Sequence, residues 1–257
     1  MLAIIIPYFK LTFFEAVLQS LAAQTCQRFK VYIGDDASPE APSMLLEDYK
    51  GKFDFVYHRF ETNLGGTSLA QQWERCIALS GNEDWLMILG DDDVLGHNVV
   101  EEFYRNLPEI EEIGCNVVRF ATQKLNEFGE CISEIYLHPK VEKASDFFLR
   151  KTRSSLSEYV FRKVNVVKIG FRDFALGWYS DVMAVLEFSD FDTVFTMNES
   201  LVFIRISNYS ISGKQDNFKL KSSATFDFYY YLLKNKKQIF DKLQTKELKK
   251  CICKAYL

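Results

Sequence analysis

Apolar runs alternate with amphipathic segments along the first 95 residues. Four mainly apolar runs predict buried strands, and they occupy residues 2–6, 29–34, 53–57 and 85–89. The three segments between them predict helices. The first has apolar residues at a spacing near 3.6 and Thr12 placed to cap it, Pro39 and Pro42 open the second, and the third has one apolar side. Because crossovers between parallel strands are right-handed, this alternating order predicts an α/β fold with a doubly wound, mostly parallel sheet.

Two of the predicted strands end directly in acidic residues. Asp35 and Asp36 follow the second strand, and Asp91, Asp92 and Asp93 follow the fourth. Three adjacent carboxylates repel one another, so a fold tolerates them best where a cation neutralises them. Mg²⁺ or Mn²⁺ shared with a substrate phosphate is the natural candidate. The alternative is an acidic surface turn, but α/β sheets bind ligands beyond their strand ends, so two acidic ends indicate one site.

The alternation is less regular beyond residue 95. Strands are predicted at 115–120, 157–162, 194–197 and 201–206, and helices at 97–107 and 163–169. An aromatic loop that begins at Phe171 leads to Asp181, which heads a further predicted helix. From Thr225 onwards the pattern predicts helix. The sheet is therefore expected to be completed by the second part of the chain, with a helical extension after it.

Composition adds a charge asymmetry to this outline. The chain has 257 residues, 48% of them hydrophobic, which is enough for one sizeable core. Its net charge of −4 gives no indication of nucleic-acid binding. From Lys214 to the end, however, 11 lysines face 4 acids, so this segment carries +7 and the remainder −11. A basic segment on an acidic body indicates contact with an anionic surface such as a membrane.

Several features point to a cytoplasmic protein. No signal peptide is visible, and no segment approaches the length of a transmembrane helix. The six cysteines lack zinc-finger spacing and are interpreted as reduced. We therefore expect a cytoplasmic location, at the inner face of the plasma membrane if the basic segment binds there.

Five sequence pieces in the N-terminal half resemble the family 2 nucleotide-sugar glycosyltransferases. In chain order they are Ile5-Ile6-Pro7-Tyr8, Ser20-Leu21-Ala22-Ala23-Gln24-Thr25, Val31-Tyr32-Ile33-Gly34-Asp35-Asp36-Ala37-Ser38, Asn63-Leu64-Gly65 and Leu89-Gly90-Asp91-Asp92-Asp93. The resemblance implies the Rossmann-like GT-A fold over residues 1–212, with a nucleotide-binding half (1–95) and an acceptor-binding half (96–212). Residues 213–257 then form a basic helical C-terminal extension.

The resemblance also implies roles for individual residues. Asp36 would accept a hydrogen bond from the uracil ring of a UDP donor, next to Pro7 and Tyr8. In the triplet, Asp91 would contact the ribose, and Asp92, with Asp93 in support, would bind Mn²⁺ or Mg²⁺. A later piece, Val160-Phe161-Arg162 to Gly170-Phe171, places Asp181 as the catalytic base. Independently of the resemblance, the neighbouring aromatic residues Trp178 and Tyr179 are expected to bind the acceptor, because aromatic faces suit the apolar faces of sugars. The alternative for Asp181 is a helix N-cap.

The chain departs from the family pattern in four places. Gly90 stands where the family usually has the first Asp of its acidic motif, and Ala70-Gln71-Gln72 lacks the usual arginine. The Glu-Asp pair that usually precedes the late helix is Ser180-Asp181, and the QxxRW motif of processive synthases is absent. The donor sugar is therefore left open, and a polysaccharide polymerase is disfavoured.

The prediction is an inverting transferase that moves one sugar to a saccharide or lipid-linked acceptor, as in bacterial surface glycan synthesis. One alternative is a non-catalytic carbohydrate- or metal-binding protein with the same fold. Another is a haloacid-dehalogenase-type phosphatase, since residues 88–95 loosely fit its acidic motif. That motif normally follows a first strand, whereas here it follows the fourth.

Overall fold

The structure is a computed structural model that describes residues 1–149, 154–208, 210 and 217–256. Its strands are β1 (Leu2–Tyr8), β2 (Phe29–Asp35), β3 (Phe55–Arg59), β4 (Trp85–Ile88), β5 (Val94–Leu95), β6 (Val117–Leu125), β7 (Val141–Lys143), β8 (Tyr159–Arg162) and β9 (Thr193–Arg205). Its α-helices are α1 (Phe14–Ala22), α2 (Ser43–Glu47), α3 (Leu69–Ile77), α4 (Val99–Ile113), α5 (Ala144–Leu149), α6 (Lys163–Ile169), α7 (Ser180–Phe188), α8 (Phe218–Asn235) and α9 (Lys242–Tyr256).

All of these strands join one sheet, in the order β3-β2-β1-β4-β8-β6-β9-β5, with β7 paired to β9 outside this path. Strands β1 to β4 are parallel neighbours, whereas β8 runs antiparallel to both β4 and β6. β9 is parallel to β6. The loops after β1, β2, β4, β6 and β9 therefore meet at one edge, together with the start of β8. We call this the carboxyl edge; it is where the predicted site residues of the first half lie.

Helices cover both faces of the sheet, as a doubly wound fold requires. In β1, the fully buried Leu2, Ile4 and Ile6 contribute to the core on one face, and Ala3 and Ile5 to the core on the other. The first core includes apolar residues of α1 and α4, and the second those of α3, α7 and α8. The prediction of an α/β fold with a mostly parallel sheet is confirmed.

Local predictions were less accurate in the second half of the chain. The late strands predicted at 194–197 and 201–206 form one strand, β9, whose pairing with β6 jumps from Met197 to Leu201. An irregularity in the ladder accounts for the polar interval that the sequence shows there. Helix α4 continues past the predicted end at residue 107 and contains Pro108. Thr12 does not cap α1, because Phe13 occupies the N-cap position.

The C-terminal extension packs onto the body through buried aromatic and aliphatic side chains. Phe228 and Leu232 of α8 are fully buried in the same core as residues of α7, and Leu248 of α9 joins them. The first described helix of the extension, α8, begins at Phe218, earlier than the predicted start of helix near Thr225. The predicted domain boundary between residues 212 and 213 lies outside the described residues. In the part of the chain that the structure describes, no helix combines the length and apolarity needed to cross a membrane.

Candidate active site

The loop of residues 90–93, here called the acid loop, follows β4 at the carboxyl edge and is tied to the loop after β1. Asp91 Oδ2 accepts hydrogen bonds from the backbone N–H groups of Phe9 (2.7 Å) and Lys10 (2.8 Å). Burial raises the pKa of Asp91, and these two amides oppose the rise. One oxygen of Asp91 is thus used to hold two loops together.

Asp93 anchors the other end of the acid loop and is buried. Its Oδ2 accepts a hydrogen bond from the Ser157 hydroxyl (2.5 Å), and its Oδ1 accepts one from the backbone N–H of Arg205 (2.9 Å). The same Ser157 hydroxyl accepts a hydrogen bond from the Gly90 N–H (3.0 Å). Asp93 therefore joins the acid loop to the start of β8 and the end of β9. A metal bound by Asp93 would have to share an oxygen that already accepts a hydrogen bond.

Asp92 differs from both neighbours. It is half-buried, and within the part of the chain that the structure describes its carboxylate accepts no hydrogen bond. Burial and the carboxylates of Asp93 and Asp91 raise the pKa of Asp92 well above its usual range, while Lys10 and Arg205 act in the opposite direction. The acid loop thus has two anchored aspartates and, between them, one carboxylate whose negative charge is poorly compensated.

This arrangement fits a divalent cation that is shared with a ligand. Among the residues that the structure describes, no group of three or more His, Cys, Asp or Glu side chains could hold a metal alone. Mg²⁺ and Mn²⁺ often bind through one or two carboxylates, with substrate phosphates and water completing the shell. Asp92 supplies such a carboxylate, and a cation would offset both the burial and the repulsion that raise its pKa.

The second acidic strand end forms a polar cradle with the loop before α3. Asp36 Oδ1 accepts hydrogen bonds from the Leu64 N–H (2.7 Å) and from the guanidinium of Arg75, and its Oδ2 accepts one from the Gly65 N–H (2.9 Å). A Cβ at position 65 would lie 2.6 Å from Asp36 Oδ2, so any other residue there would displace the Asp36 carboxylate or the loop.

Asp35 points away from this cradle. It is fully buried and accepts hydrogen bonds from the Ser38 N–H, the Tyr57 hydroxyl and the Arg59 guanidinium. The backbone carbonyl of Tyr8 accepts a hydrogen bond from the Asp36 N–H (3.0 Å), which brings the end of β1 to the same place. The ring of Tyr8 is buried, whereas Pro7 is half-buried beside Gly34.

Asp181 lies in the first turn of α7, but the N-cap position belongs to Tyr179. Its Oδ2 accepts a hydrogen bond from the Ser154 hydroxyl (2.7 Å), which lies 2.9 Å from the Tyr159 hydroxyl. Ser154 is three residues before Ser157, the residue that contacts Asp93. One short segment, residues 154–159, therefore links the acid loop to Asp181.

The two aromatic residues before α7 contact the C-terminal extension. Tyr179 has a positive φ of 69° and stacks on Phe228 of α8, with ring centroids 4.5 Å apart. The Lys221 ammonium group lies over the ring of Trp178, 4.9 Å from the ring centroid. Both aromatic side chains are half-buried. The extension thus supports the loop that leads into Asp181.

The sequence profile of glycosyl transferase family 2 matches residues 3–164, more than half of the chain. The chain belongs to glycosyl transferase family 2. An uncharacterized glycosyltransferase of Haemophilus influenzae is 36% identical over 94 residues, 36% of this chain. The match spans 30% of the length of that relative.

Solved glycosyltransferase structures share the fold of this family member. S. aureus TarS 1–349 in complex with UDP-GlcNAc superposes with a TM-score of 0.72 at 14% identity, over 99% of this chain and 71% of that one. The mannosyltransferase PcManGT from Pyrobaculum calidifontis, in complex with GDP-Man and Mn²⁺, gives a TM-score of 0.64 at 10% identity, over 91% and 64%. The predicted GT-A fold is confirmed.

Sequence reasoning missed four residues that organise the site of this family member. Arg75, one helical turn after position 71, contributes a guanidinium to the Asp36 cradle. Ser154 and Ser157 lie where the sequence shows no motif, and Arg205 lies at the end of a strand with an apolar pattern. Of these, only Arg75 has a sequence signal, a spacing of four residues from the expected position.

Proposed function

We propose that this chain transfers one sugar from a nucleoside diphosphate donor to an acceptor hydroxyl, with inversion at the sugar C1. The observation that carries the proposal is Asp92, a carboxylate held between two anchored aspartates at the carboxyl edge. The Asp36 cradle lies at the same edge, after β2, so the nucleobase and the diphosphate of the donor would have adjacent sites. Family membership supports the same reaction class.

The hydrogen bonds of Asp36 favour UDP over GDP. A carboxylate has about four acceptor positions. Three are taken by Leu64, Gly65 and Arg75. One remains, on Oδ2, which suits the single N3–H of uracil. Guanine presents two adjacent donors, N1–H and the exocyclic amine, and one of them would be left without an acceptor in a desolvated site. TarS was solved with UDP-GlcNAc and PcManGT with GDP-Man, so both donor classes occur on this fold.

Each residue of the site has a separate role in the proposed reaction. The acceptor oxygen attacks C1, the bond from C1 to the diphosphate oxygen breaks, and the hydroxyl proton passes to the Asp181 carboxylate. The Ser154 hydroxyl orients that carboxylate. Asp92 would hold Mn²⁺ or Mg²⁺, which when bound neutralises charge on the leaving diphosphate. Asp91 would contact the ribose through the oxygen that the Phe9 and Lys10 amides leave open, and Asp93 would support the metal.

A thermal-shift panel of UDP, GDP and their sugars, each in Mn²⁺, Mg²⁺ or EDTA, tests donor and metal together. UDP should stabilise the protein more in Mn²⁺ than in EDTA, by up to about 2–4 kcal/mol near saturation. GDP should give a smaller shift at the same concentration, because of the unpaired guanine donor. Equal UDP shifts in Mn²⁺ and EDTA would contradict the metal role, and a larger GDP shift would contradict the assignment of Asp36.

The acceptor side is expected at Trp178 and Tyr179, since aromatic faces suit the apolar faces of sugars. Both residues directly precede α7, the helix that carries Asp181. A saccharide or lipid-linked acceptor, as in bacterial surface glycan synthesis, would place its hydroxyl between them and the donor. Lys221, next to the ring of Trp178, adds a positive charge on this side.

The extension supports a peripheral contact with a membrane, at the cytoplasmic face. Its described residues 217–256 combine exposed lysines with exposed apolar side chains, including Phe218 (75% exposed) and Leu243 (76% exposed). Apolar groups can enter the interface while lysines meet anionic headgroups, each worth about 1 kcal/mol near the surface.

Cosedimentation with vesicles of anionic or neutral phospholipid tests this contact. Replacing four exposed lysines of the extension by glutamate should abolish binding to anionic vesicles: Lys234, Lys237, Lys249 and Lys250. The matched control reverses four exposed or surface lysines elsewhere: Lys50, Lys52, Lys143 and Lys168. Equal binding of both variants would refute the assignment. Truncation is a poor test, because Phe228 and Leu232 belong to the core.

A further inference from the structure

Arg205, the last residue of β9, contacts the acid loop through both its backbone and its side chain. Its N–H donates to Asp93 Oδ1 (2.9 Å), and its Nε donates to the backbone carbonyl of Asp92 (3.0 Å). Arg205 is only 5% exposed. The main-chain carbonyl of Asp92 and the carboxylate of its neighbour Asp93 are therefore held by one residue, which lies 113 positions from Asp92 in the sequence.

The rest of the Arg205 guanidinium joins two further loops of the carboxyl edge. Nη1 donates to the carbonyl of Asn126 (2.8 Å), in the turn that follows β6. The guanidinium also lies 4.5 Å from the ring centroid of Phe13, in the loop between β1 and α1. One planar group thus fixes the acid loop relative to the loops on either side. A lysine has the charge but not the rigid fork of donors needed for two carbonyls.

Arg205 also interacts electrostatically with the carboxylates of the acid loop. The acid loop gathers three carboxylates, and Lys10 and Arg205 are the cations that act on Asp92. Burial lowers the pKa of Arg205, and Asp92 and Asp93 oppose that change. The cation and the carboxylates therefore stabilise each other in a site where water is partly excluded.

We propose that Arg205 is a positioning residue that sets the Asp92 carboxylate in the orientation needed to share a divalent cation with the donor diphosphate. This inference rests on the proposed function, since it assigns the cation to Asp92. Arg205 acts through the main chain of Asp92. The residue leaves the Asp36 cradle untouched, because that cradle is built from β2, the 63–66 loop and α3.

Calorimetry of UDP binding to Arg205→Lys, in Mn²⁺ and in EDTA, tests the proposal without measuring turnover. The gain in UDP affinity that Mn²⁺ brings should fall by about 10–100-fold, the usual effect of losing a residue that orients a metal ligand. UDP affinity in EDTA should stay within about threefold of wild type, because the residues proposed to bind the uracil ring are unchanged. A purely structural role would lower the melting temperature and leave the Mn²⁺ gain intact, which would overturn the proposal.

Arg162→Lys is the matched control. Arg162 also ends a strand, lies 4.1 Å from the ring centroid of Trp85 and pairs with Glu111, but at the opposite edge of the sheet. Its variant should keep the full Mn²⁺ gain. If Arg205→Lys does not fold, Phe13→Leu decides, since it removes the ring that packs against the guanidinium and so loosens the hydrogen bond from Arg205 to Asp92. A reduced gain supports the proposal and an unchanged gain refutes it. No Mn²⁺ gain in wild type would instead refute the metal role itself.

Discussion

Replacing Asp181 with asparagine is expected to abolish sugar transfer while UDP affinity stays within about threefold of wild type. An amide cannot accept the hydroxyl proton, and loss of general base catalysis typically costs about 10²–10⁴-fold in rate. The carboxylate lies in the first turn of α7 and accepts a hydrogen bond from Ser154, so it is held in place without capping the helix. UDP release from a UDP-sugar, measured beside UDP affinity, gives both quantities for the same variant.

Asp173→Asn provides the control for this experiment. Asp173 is an exposed acid in the same aromatic loop, eight residues before Asp181. Its amide variant should release UDP at the wild-type rate. Turnover of Asp181→Asn within about threefold of wild type would mean that another group is the base. An equal fall in UDP affinity and in turnover would instead assign Asp181 to the donor site.

The sequence was sufficient for the parts of the site that depend on strand ends. Apolar runs identified β1, β2 and β4, and the helical crossovers between them made them parallel, so Asp36 and Asp92 had to lie at one edge. Their separate surroundings could not be predicted, because the partners come from distant positions. Asp93 is anchored by Ser157 and Arg205, which are 64 and 112 residues away.

The second half of the chain shows where periodicity fails. β9 reads as two strands because an irregularity interrupts its pairing with β6, and the two-residue β5 is too short to have a period. The segment that links Asp93 to Asp181 contains Ser154, Ser157 and Tyr159, whose hydroxyl groups acquire their roles only when β8 pairs with β4. Polar side chains in short irregular segments carry no sequence signal of their partners.

The largest effect on metal dependence is expected for Asp92→Asn. The variant should lose the additional UDP affinity in Mn²⁺, because a neutral amide is a poor ligand for a hard cation. The rate at which UDP is released from a UDP-sugar should fall by about 10²–10³-fold, the usual loss when one preorganised electrostatic contact to the leaving group is removed. Wild-type metal dependence in this variant would mean that Asp91 or Asp93 holds the cation.

Stability without metal should separate Asp92 from its neighbour Asp93. Burial and adjacent carboxylates raise the pKa of Asp92, so the folded state favours the protonated carboxyl group. The stability that this protonated form contributes is lost as the pH rises through the raised pKa. The Asp92→Asn variant does not lose this stability. In EDTA its melting temperature should be no lower than that of wild type, and the difference in its favour should grow with pH.

The Asp93→Asn variant should have a lower melting temperature. If the amide oxygen accepts the hydrogen bond from Ser157, the NH₂ group of the same amide faces the N–H of Arg205, and this costs about 1–3 kcal/mol. Equal melting temperatures for the two variants in EDTA would contradict the division of the acid loop into one ligand and two anchors.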